Sequence, residues 1–324
     1  MSINFPKPAI FSSRCLGFDR CRWNGEIIRD RFVEKLKPYV SYITTCPESE
    51  IGLGVPRDPV RVVSRNNSYM LMQLNTEKDL TEKMNAFVSD YIASMKEVDG
   101  FILKDRSPSC GIKDVKVYAG LSHSSPVKKG SGFFGAAVSK KFSGIAIETE
   151  ARLTNFTIRE HFLARIFTRA GFRKLKGKPL VKNLVRFHTE NKFLLMAYSQ
   201  KHLKLMGNIV ANSKRKPAKE MFAEYESKLT EALAKTPKFT SVINVLMHAL
   251  GYFAKKLKSE EKKFFLNTLE EYRREQVPLS VPVNIMRSYI IRFNEGYLSQ
   301  QTFFEPYPKE LTEIKDSGEG RSYK

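Results

Sequence analysis

Three cysteines share one kind of position: each follows, directly or after a short loop, a segment with the apolar character of a buried β-strand. The cysteines and the segments before them are Cys15 after residues 9–13, Cys46 after residues 39–45 and Cys110 after residues 101–104. In an α/β fold, the loops at the carboxyl ends of parallel strands converge on one crevice. We therefore expect the three thiols to meet in space, although 31 and 64 positions separate them along the chain.

The loop that carries the third cysteine also presents two hydroxyl groups, those of Ser107 and Ser109. Pro108 and Gly111 stiffen and turn this loop, because proline restricts the backbone and glycine frees it. A rigid loop of small polar residues behind a buried strand is where an α/β protein places its chemistry. The two serines either take part in that chemistry or cap the turn by hydrogen bonding to its backbone.

The spacing of the cysteines favours an iron–sulfur cluster over a structural zinc site. Structural zinc sites use closely spaced cysteine pairs, whereas cluster ligands can come from distant loops. Three thiolates would leave one iron of a 4Fe–4S cluster without a protein ligand, and that iron is an open Lewis-acid site. Cys21 is either a fourth ligand, which would close the site and favour electron transfer, or an ordinary thiol. Its position in the middle of a loop favours the ordinary thiol.

The elements around the cysteines alternate between strand-like and helix-like patterns. Strands are predicted at residues 9–13, 39–45, 60–64, 69–74, 101–104 and 144–147, and helices at residues 26–37, 76–95 and 132–142. Such alternation predicts an α/β N-terminal domain with a mostly parallel sheet and helices on both faces.

The segment Gly130–Gly135 matches the pattern G-x-G-x-x-G and precedes a predicted helix. A dinucleotide-binding fingerprint requires a strand directly before the motif, in the first βα unit of the domain. No strand is predicted there, and the motif lies late in the domain. We therefore expect a helix start beside the crevice rather than a cofactor site.

The second half of the chain predicts an all-α C-terminal domain. Amphipathic segments follow one another at residues 156–170, 179–210, 217–234, 239–257, 259–275 and 282–299, and no strand pattern appears after Asn155. The predicted domains are an iron–sulfur domain at 1–155, a connecting helical segment at 156–178, a basic helical domain at 179–315 and a flexible tail at 316–324.

The net charge is strongly positive and unevenly distributed. The chain carries 55 Lys and Arg against 34 Asp and Glu, a net charge of +21. Residues 151–263 alone hold 25 basic and 8 acidic side chains, a net +17. Such a block attracts phosphate backbones and favours a nucleic-acid partner, the alternative being a basic domain whose lysines are only solvated.

Composition places the protein among cytoplasmic globular proteins. The start of the chain lacks the basic and apolar regions of a signal peptide. No stretch reaches the roughly 18 uninterrupted apolar residues of a membrane span, so no membrane partner is expected. In a reducing compartment the four cysteines are expected to serve metal binding or catalysis rather than disulfides.

Cations and aromatic groups in the second half are candidate RNA contacts, because RNA-binding proteins combine charge with stacking surfaces. The candidates are Arg186, His188, Lys192, Lys201, His202, Lys214, Arg215, Lys216, His248, Tyr252 and Lys255. For His188 and His248 the alternative is a place in the core of an otherwise apolar helix.

Several short motifs together resemble the thiouracil desulfidase family. In the first half they are Cys15-Leu-Gly, Trp23-Asn-Gly, Cys46-Pro-Glu48, Gly-Val-Pro-Arg57, Leu103-Lys104 and Ser107-Pro-Ser-Cys-Gly111. Residues 180–315 resemble the helical domain that is fused to many members, through Val185-Arg-Phe-His188, Ser199-Gln-Lys-His202, Asn244-Val-Leu-Met-His248, Gly251-Tyr-Phe and Glu305-Pro-Tyr-Pro308. The two-domain branch resembles enzymes that convert 4-thiouridine in tRNA to uridine.

The resemblance implies a non-redox 4Fe–4S cluster that is held by Cys15, Cys46 and Cys110, with one iron not ligated by the protein. That iron would take the sulfur of a thiolated pyrimidine and release it as sulfide. Hydrolysis of C=S also needs an activated water and a proton acceptor, which Glu48 can supply. Ser107, or alternatively Ser109, can hydrogen-bond the ring or the developing oxyanion.

Three functions remain open at this point. The favoured one is a tRNA 4-thiouridine desulfidase, expected to be a monomer. The second is a desulfidase of free thiouracil or its nucleotides. The third, from another class, is a nucleic-acid-binding module with a structural metal, in which Glu48 would be a surface carboxylate at a helix start.

Overall fold

The computed structural model of the chain describes residues 5–66, 68–122, 125–212 and 216–313. It divides into two compact units. The first runs up to Ala170 and resumes at Pro308, and the second comprises Gly171–Tyr307. Across the described residues, no helix combines the length and the hydrophobicity that crossing a membrane requires.

The first unit contains strands and helices, and the second is helical, so the predicted fold class is confirmed. The strands are β1 (Ala9–Ser13), β2 (Ser41–Thr45), β3 (Val60–Arg65), β4 (Ser68–Gln73), β5 (Gly100–Leu103), β6 (Val115–Tyr118), β7 (Lys128–Gly130) and β8 (Ala146–Thr149). The helices are α1 (Arg31–Leu36), α2 (Pro47–Glu50), α3 (Thr81–Ser94), α4 (Phe133–Lys141), α5 (Phe156–Lys176), α6 (Val181–Glu190), α7 (Lys192–Tyr198), α8 (Gln200–Ala211), α9 (Ala218–Ala232), α10 (Phe239–Gly251), α11 (Ser259–Arg273), α12 (Ser280–Arg292) and α13 (Gly296–Ser299).

The central sheet of the first unit has the strand order β2-β1-β5-β8, and all of its pairings are parallel. Ser13 pairs with Thr45, and Ser12 pairs with Ile102, so that β1, β2 and β5 end at the same edge. Every residue of β5 is buried, which is typical of a parallel strand that is covered on both faces.

Helices cover both faces of this sheet, as the sequence predicts. On one face Phe11 and Phe101 pack in one cluster with buried side chains of α3 and α4, among them Met84 and Phe134. On the other face the side chain of Ile166 in α5 lies directly over the backbone of β5. The alternation of side chains along each strand therefore supplies an apolar surface to each layer of helices.

The first unit also contains a second sheet, with the strand order β4-β3-β6-β7. The sequence predicted only part of this sheet. The predicted strand pair at 60–64 and 69–74 is present as the antiparallel β3 and β4. Strands β6 and β7 were not predicted. Strand β7 has the sequence Lys-Lys-Gly and lacks an apolar pattern, whereas β6 is a four-residue strand with the alternating sequence Val-Lys-Val-Tyr. A strand therefore does precede the glycine-rich motif, but β7 pairs antiparallel with β6, which is not the βα unit of a dinucleotide fold.

The first turn of α4 packs directly on the loop that carries Cys110. The N–H groups of residues 133–135 donate to the carbonyl oxygens of Pro108 and Ser109 at 2.9 to 3.2 Å. A Cβ atom on Gly135 would lie 2.6 Å from the carbonyl oxygen of Cys110. The glycine-rich motif therefore serves a close contact between two backbones, which a residue with a side chain would prevent.

The helical unit differs from its prediction at residues 179–210, where one long segment is divided into α6, α7 and α8. Asn191 ends α6 and is buried, and its side chain donates to the carbonyl oxygen of Phe187 at 2.8 Å. Ser199 accepts a hydrogen bond from the N–H of His202 and so caps α8. Asparagine and serine compete for backbone hydrogen bonds and favour helix ends, which explains both breaks.

The helical unit ends at Tyr307, whereas the sequence placed its end at 315. The residues from Pro308 group with the first unit: Leu311 is fully buried, and Arg159 donates to the carbonyl oxygen of Glu313 at 2.6 Å. The boundary between the units lies within the continuous helix α5, which occupies most of the predicted connecting segment at 156–178. The predicted tail at 316–324 lies outside the described residues.

Replacement of Gly135 by alanine is expected to destabilise the first unit by about 1–3 kcal/mol, because the new Cβ must push the loop backbone away. The midpoint of thermal unfolding should fall by several degrees. Gly54→Ala is the matched control, since a Cβ there meets no atom within 4 Å and the backbone is not left-handed. Equal midpoints for the two variants would contradict the proposed close contact.

Candidate active site

The cysteine-bearing loops meet at the carboxyl edge of the central sheet. Cys15 follows β1 by one residue, and Cys46 follows β2 directly as the first residue before α2. The backbone N–H of Arg14 donates to the carbonyl oxygen of Thr45 at 2.9 Å, which holds the first two loops together. The N–H of Lys104 donates to the Ser13 hydroxyl at 2.9 Å and joins the third loop to the first. The predicted convergence follows from the parallel pairing of these strands.

The thiol of Cys21 lies among the other thiols rather than apart from them. Its side chain is hydrogen-bonded with those of Cys15 and Cys46, and the Cys46 Sγ lies 3.6 Å from the Cys21 carbonyl oxygen. Cys21 is buried, with 3% of its surface exposed. The loop position that favoured an ordinary thiol therefore does not remove Cys21 from the site.

Burial and mutual contact raise the pKa of the Cys21, Cys46 and Cys110 thiols above the usual range. Hydrogen bonding to Cys15 is the main cause that raises the pKa of Cys21 to about 11. The Cys21 side chain, followed by burial, raises the pKa of Cys46. Burial raises the pKa of Cys110. A metal must displace these protons when it binds, because thiolates are the ligands.

Glu48 joins the second and third loops through its carboxylate. The Ser109 hydroxyl donates to Glu48 Oε1 at 2.9 Å. The Arg57 guanidinium donates to Glu48 Oε2 from Nε at 3.0 Å and from Nη2 at 2.7 Å. The side chains of Arg57 and Glu48 are only 5% and 12% exposed, so this ion pair is largely desolvated. Hydrogen bonds to both carboxylate oxygens therefore hold Glu48, the predicted acid–base group, in one orientation.

The two serines of the third loop have different surroundings. The Ser107 hydroxyl accepts hydrogen bonds from the backbone N–H groups of Ser109 and Cys110, at 3.2 and 3.1 Å. Its geometry is that of a turn cap, one of the two interpretations that the sequence left open. Ser109 is buried and reaches Glu48 instead. Ser109 is therefore the hydroxyl that is linked to the acid–base candidate.

The metal-binding donors at this edge of the sheet are cysteine thiols. Within the described ranges, no group of three or more His, Cys, Asp or Glu side chains is arranged to hold one metal ion. All four cysteines are free thiols on loops of the same sheet edge. A 4Fe–4S cluster binds each cysteine at a different iron, so its ligands stand further apart than those of one ion. Cys15, Cys46 and Cys110 are the thiols that can hold such a group.

The candidate RNA contacts of the helical unit fall into two classes. Some are exposed and make their charge or ring available at the surface: Arg186, Lys192, Lys201, His248, Tyr252 and Lys255. The ring of Tyr252 is stacked on that of Tyr297, with centroids 5.7 Å apart, and is 44% exposed. Lys214 and Arg215 lie outside the described residues.

The other candidates are engaged within the unit. His188 is hydrogen-bonded to the Tyr225 hydroxyl at 3.1 Å, and burial lowers its pKa. His202 contacts both the Ser199 hydroxyl and Glu231. Lys216 pairs with Glu224 at 2.7 Å. For His188 the core alternative is the better description, whereas His248 is exposed.

The role of Arg57 was not predicted, although the residue ends one of the motifs that carry the family resemblance. Its side chain contacts residues from three separate segments: Glu48, the Cys21 carbonyl oxygen at 3.0 Å and the Gly54 carbonyl oxygen at 3.2 Å. A basic residue close in sequence to cysteines and to the acidic pair Glu48 and Glu50 is the signal that could have indicated this role. The sequence does not reveal which carboxylate it meets.

Comparison with known proteins matches the two halves of the chain to two different family models. The family model of 2-thiouracil desulfurase matches residues 10–150, and the model of a protein of unknown function (DUF1722) matches residues 192–308. A solved structure of the 4Fe-4S-dependent thiouracil desulfidase TudS is 24% identical, with a TM-score of 0.36 over 45% of this chain and 93% of that one.

Two curated proteins are similar to this chain. YbgA of Escherichia coli (strain K12) is 27% identical over 158 residues, which is 48% of this chain and 93% of YbgA. YbbK of Bacillus subtilis (strain 168) is 30% identical over 109 residues, which is 32% of this chain and 72% of YbbK. The resemblance seen in the sequence motifs is confirmed: the chain belongs to the 2-thiouracil desulfurase family and carries a second, helical domain of the DUF1722 type.

Proposed function

We propose that this protein is a desulfidase that removes sulfur from 4-thiouridine in tRNA and gives uridine and sulfide without net redox change. The observation that carries the chemistry is that Cys46 and Cys110 lie near the bridged carboxylate of Glu48, while Cys21 contacts both Cys46 and Cys15. In the reaction one water replaces the sulfur of a thiocarbonyl, so that the products are a carbonyl group and hydrogen sulfide.

A 4Fe–4S cluster on Cys15, Cys46 and Cys110 would supply a thiophilic Lewis acid at the iron without a protein ligand. The donor set of free thiols on convergent loops supports this assignment. Cys21 contacts two of these thiols, and we assign it no ligand role, because three ligands leave the open iron that the chemistry needs.

The acid–base work falls to Glu48. Its Oε1 accepts one hydrogen bond, from Ser109, and keeps a lone pair for a water proton, whereas its Oε2 accepts two hydrogen bonds from Arg57. Ser109, which donates to Glu48, is the hydroxyl that we assign to relay a proton between Glu48 and the substrate oxygen. Ser107 holds the loop in shape through its two backbone contacts.

The tRNA substrate is supported by the charge of the helical unit. Residues 171–307 carry 25 Lys and Arg against 12 Asp and Glu, a net charge of +13. An exposed aromatic ring at Tyr252 accompanies the exposed cations. Free thiouracil or its nucleotides would undergo the same chemistry at the same edge of the sheet, so RNA binding distinguishes the two substrates. A folded tRNA must also be distorted to expose a modified base.

Replacement of Cys15, Cys46 or Cys110 by serine is expected to abolish the cluster, because each removes a thiolate ligand. Cys21→Ser should retain it. Iron and acid-labile sulfide, counted after anaerobic purification, measure the outcome together with the brown chromophore. Cluster loss in Cys21→Ser would contradict the open-iron assignment, and one zinc per chain in the wild type would exclude the cluster.

Glu48→Gln is expected to keep the chromophore and to lose turnover by at least about 100-fold, since a general base contributes that much or more. The matched control is Glu50→Gln on the same helix. Glu50 binds Arg14 at 2.6 Å and accepts a hydrogen bond from the Thr45 hydroxyl. Turnover of 4-thiouracil near the wild-type rate in Glu48→Gln would make Glu48 a bystander.

Removal of exposed cations from the helical unit should weaken tRNA binding and leave the chemistry intact. The test is a triple variant in which alanine replaces Lys192, Lys201 and Lys255. Its slope of log tRNA affinity against log salt concentration should become shallower by up to about two to three units. Turnover of free 4-thiouridine monophosphate should persist.

The control for this charge change is the triple replacement of Lys83, Lys96 and Lys116 by alanine, exposed lysines of the first unit. It removes the same charge and should leave the slope unchanged. Equal slopes for both triple variants and the wild type would argue against the RNA surface. Failure of the wild type to desulfurate thiolated tRNA while it converts free thiouracil would favour the second substrate class.

A further inference from the structure

Arg57 is the most highly connected side chain at the candidate active site. Its Nε and Nη2 both bind Glu48 Oε2, its Nη2 lies 3.0 Å from the Cys21 carbonyl oxygen, and its Nη1 lies 3.2 Å from the Gly54 carbonyl oxygen. The same Nη2 lies 3.9 Å from the Cys46 Sγ. One guanidinium thus connects the loop after β1, the helix α2 and the segment before β3.

The contacts divide the Glu48 carboxylate between two partners. Oε2 accepts both hydrogen bonds from Arg57, and Oε1 accepts the hydrogen bond from Ser109. Two partners on different oxygens fix both the position and the plane of a carboxylate. Neither partner alone would do so, because a single contact leaves rotation about the terminal bond.

We propose that Arg57 is a positioning residue: it holds the Glu48 carboxylate in the orientation that desulfidation requires and acts on the reaction only through Glu48. The inference rests on the proposed function, in which Glu48 is the acid–base group. Arg57 has no assigned contact with the substrate.

An arginine suits this task better than a lysine. The planar guanidinium presents its donors in a fixed fork, so it can bind one carboxylate oxygen and two backbone carbonyls at once. A lysine keeps the positive charge but offers a single nitrogen, which cannot reach Glu48 and both carbonyls with the same geometry. Arg57→Lys therefore separates orientation from charge.

The test is a double-mutant cycle on the full chain, with Arg57→Lys, Glu48→Gln and the double variant, and with 4-thiouracil as substrate. Arg57→Lys should lower kcat by about 10- to 100-fold, since small displacements of a catalytic group cost that much. KM should change little, and iron and sulfide content should equal those of the wild type. In the Glu48→Gln background, Arg57→Lys should change kcat by less than about threefold, because the group it positions is already lost.

Arg287→Lys is the matched control for the general cost of this replacement. Arg287 also pairs with a carboxylate, that of Glu305 at 2.6 Å, but it lies in the helical unit. Its variant should keep the wild-type kcat on 4-thiouracil.

Three outcomes would overturn the inference. If the loss in kcat of the double variant equals the product of the losses in the two single variants, Arg57 acts independently of Glu48. Loss of iron from both Arg57→Lys and Arg57→Gln would show a purely structural role at the cysteines. Unchanged kcat in Arg57→Lys, with a fully active wild type, would show no positioning role. An inactive wild type would instead refute the proposed function and the inference that rests on it.

Discussion

The Glu48 carboxylate connects the parts of the candidate site that the chain sequence keeps far apart. A buried carboxylate is costly unless it is paired and hydrogen-bonded, and here both of its oxygens have partners. The partners come from the loop after β5 and from the segment before β3, while Glu48 itself stands in α2. The ion pair and the hydrogen bonds offset the cost of desolvating Glu48 only when these segments are in their native positions. The buried pair therefore favours one arrangement of the three segments.

The sequence predicted the arrangement of the cysteines because parallel pairing dictates it. Once β1, β2 and β5 are recognised as buried strands, the residues after them must share an edge. The side-chain contacts at that edge could not be predicted from the sequence in the same way. Arg57 and Glu48 lie nine positions apart in a stretch with little regular structure, and no periodicity indicates that they meet. The contacts of Cys21 with Cys15 and Cys46 could not be predicted for the same reason, since a loop position does not reveal where the loop folds back.

Helix positions were predicted better than helix ends. Apolar spacing located α4, α9 and α11 to within about two residues at each end, because burial of one face sets their pattern. For α3, α10 and α12 one end of each predicted segment lies about five to seven residues beyond the helix. The long segment at 179–210 failed because its pattern continues through two breaks. Those breaks depend on the side-chain hydrogen bonds of Asn191 and Ser199, which are formed only in the folded unit. Likewise, the pairing of His202 with Glu231 depends on the packing of α8 on α9.

The contact between α4 and the Cys110 loop sets an order for the maturation of the protein. The carbonyl groups of Pro108 and Ser109 find their donors only in the first turn of a helix that begins more than twenty residues later. On a ribosome the third cysteine is thus synthesised well before the segment that gives its loop a shape. The Cys110 loop therefore takes the conformation described here only after the chain has been synthesised past Lys141 and α4 has packed on it.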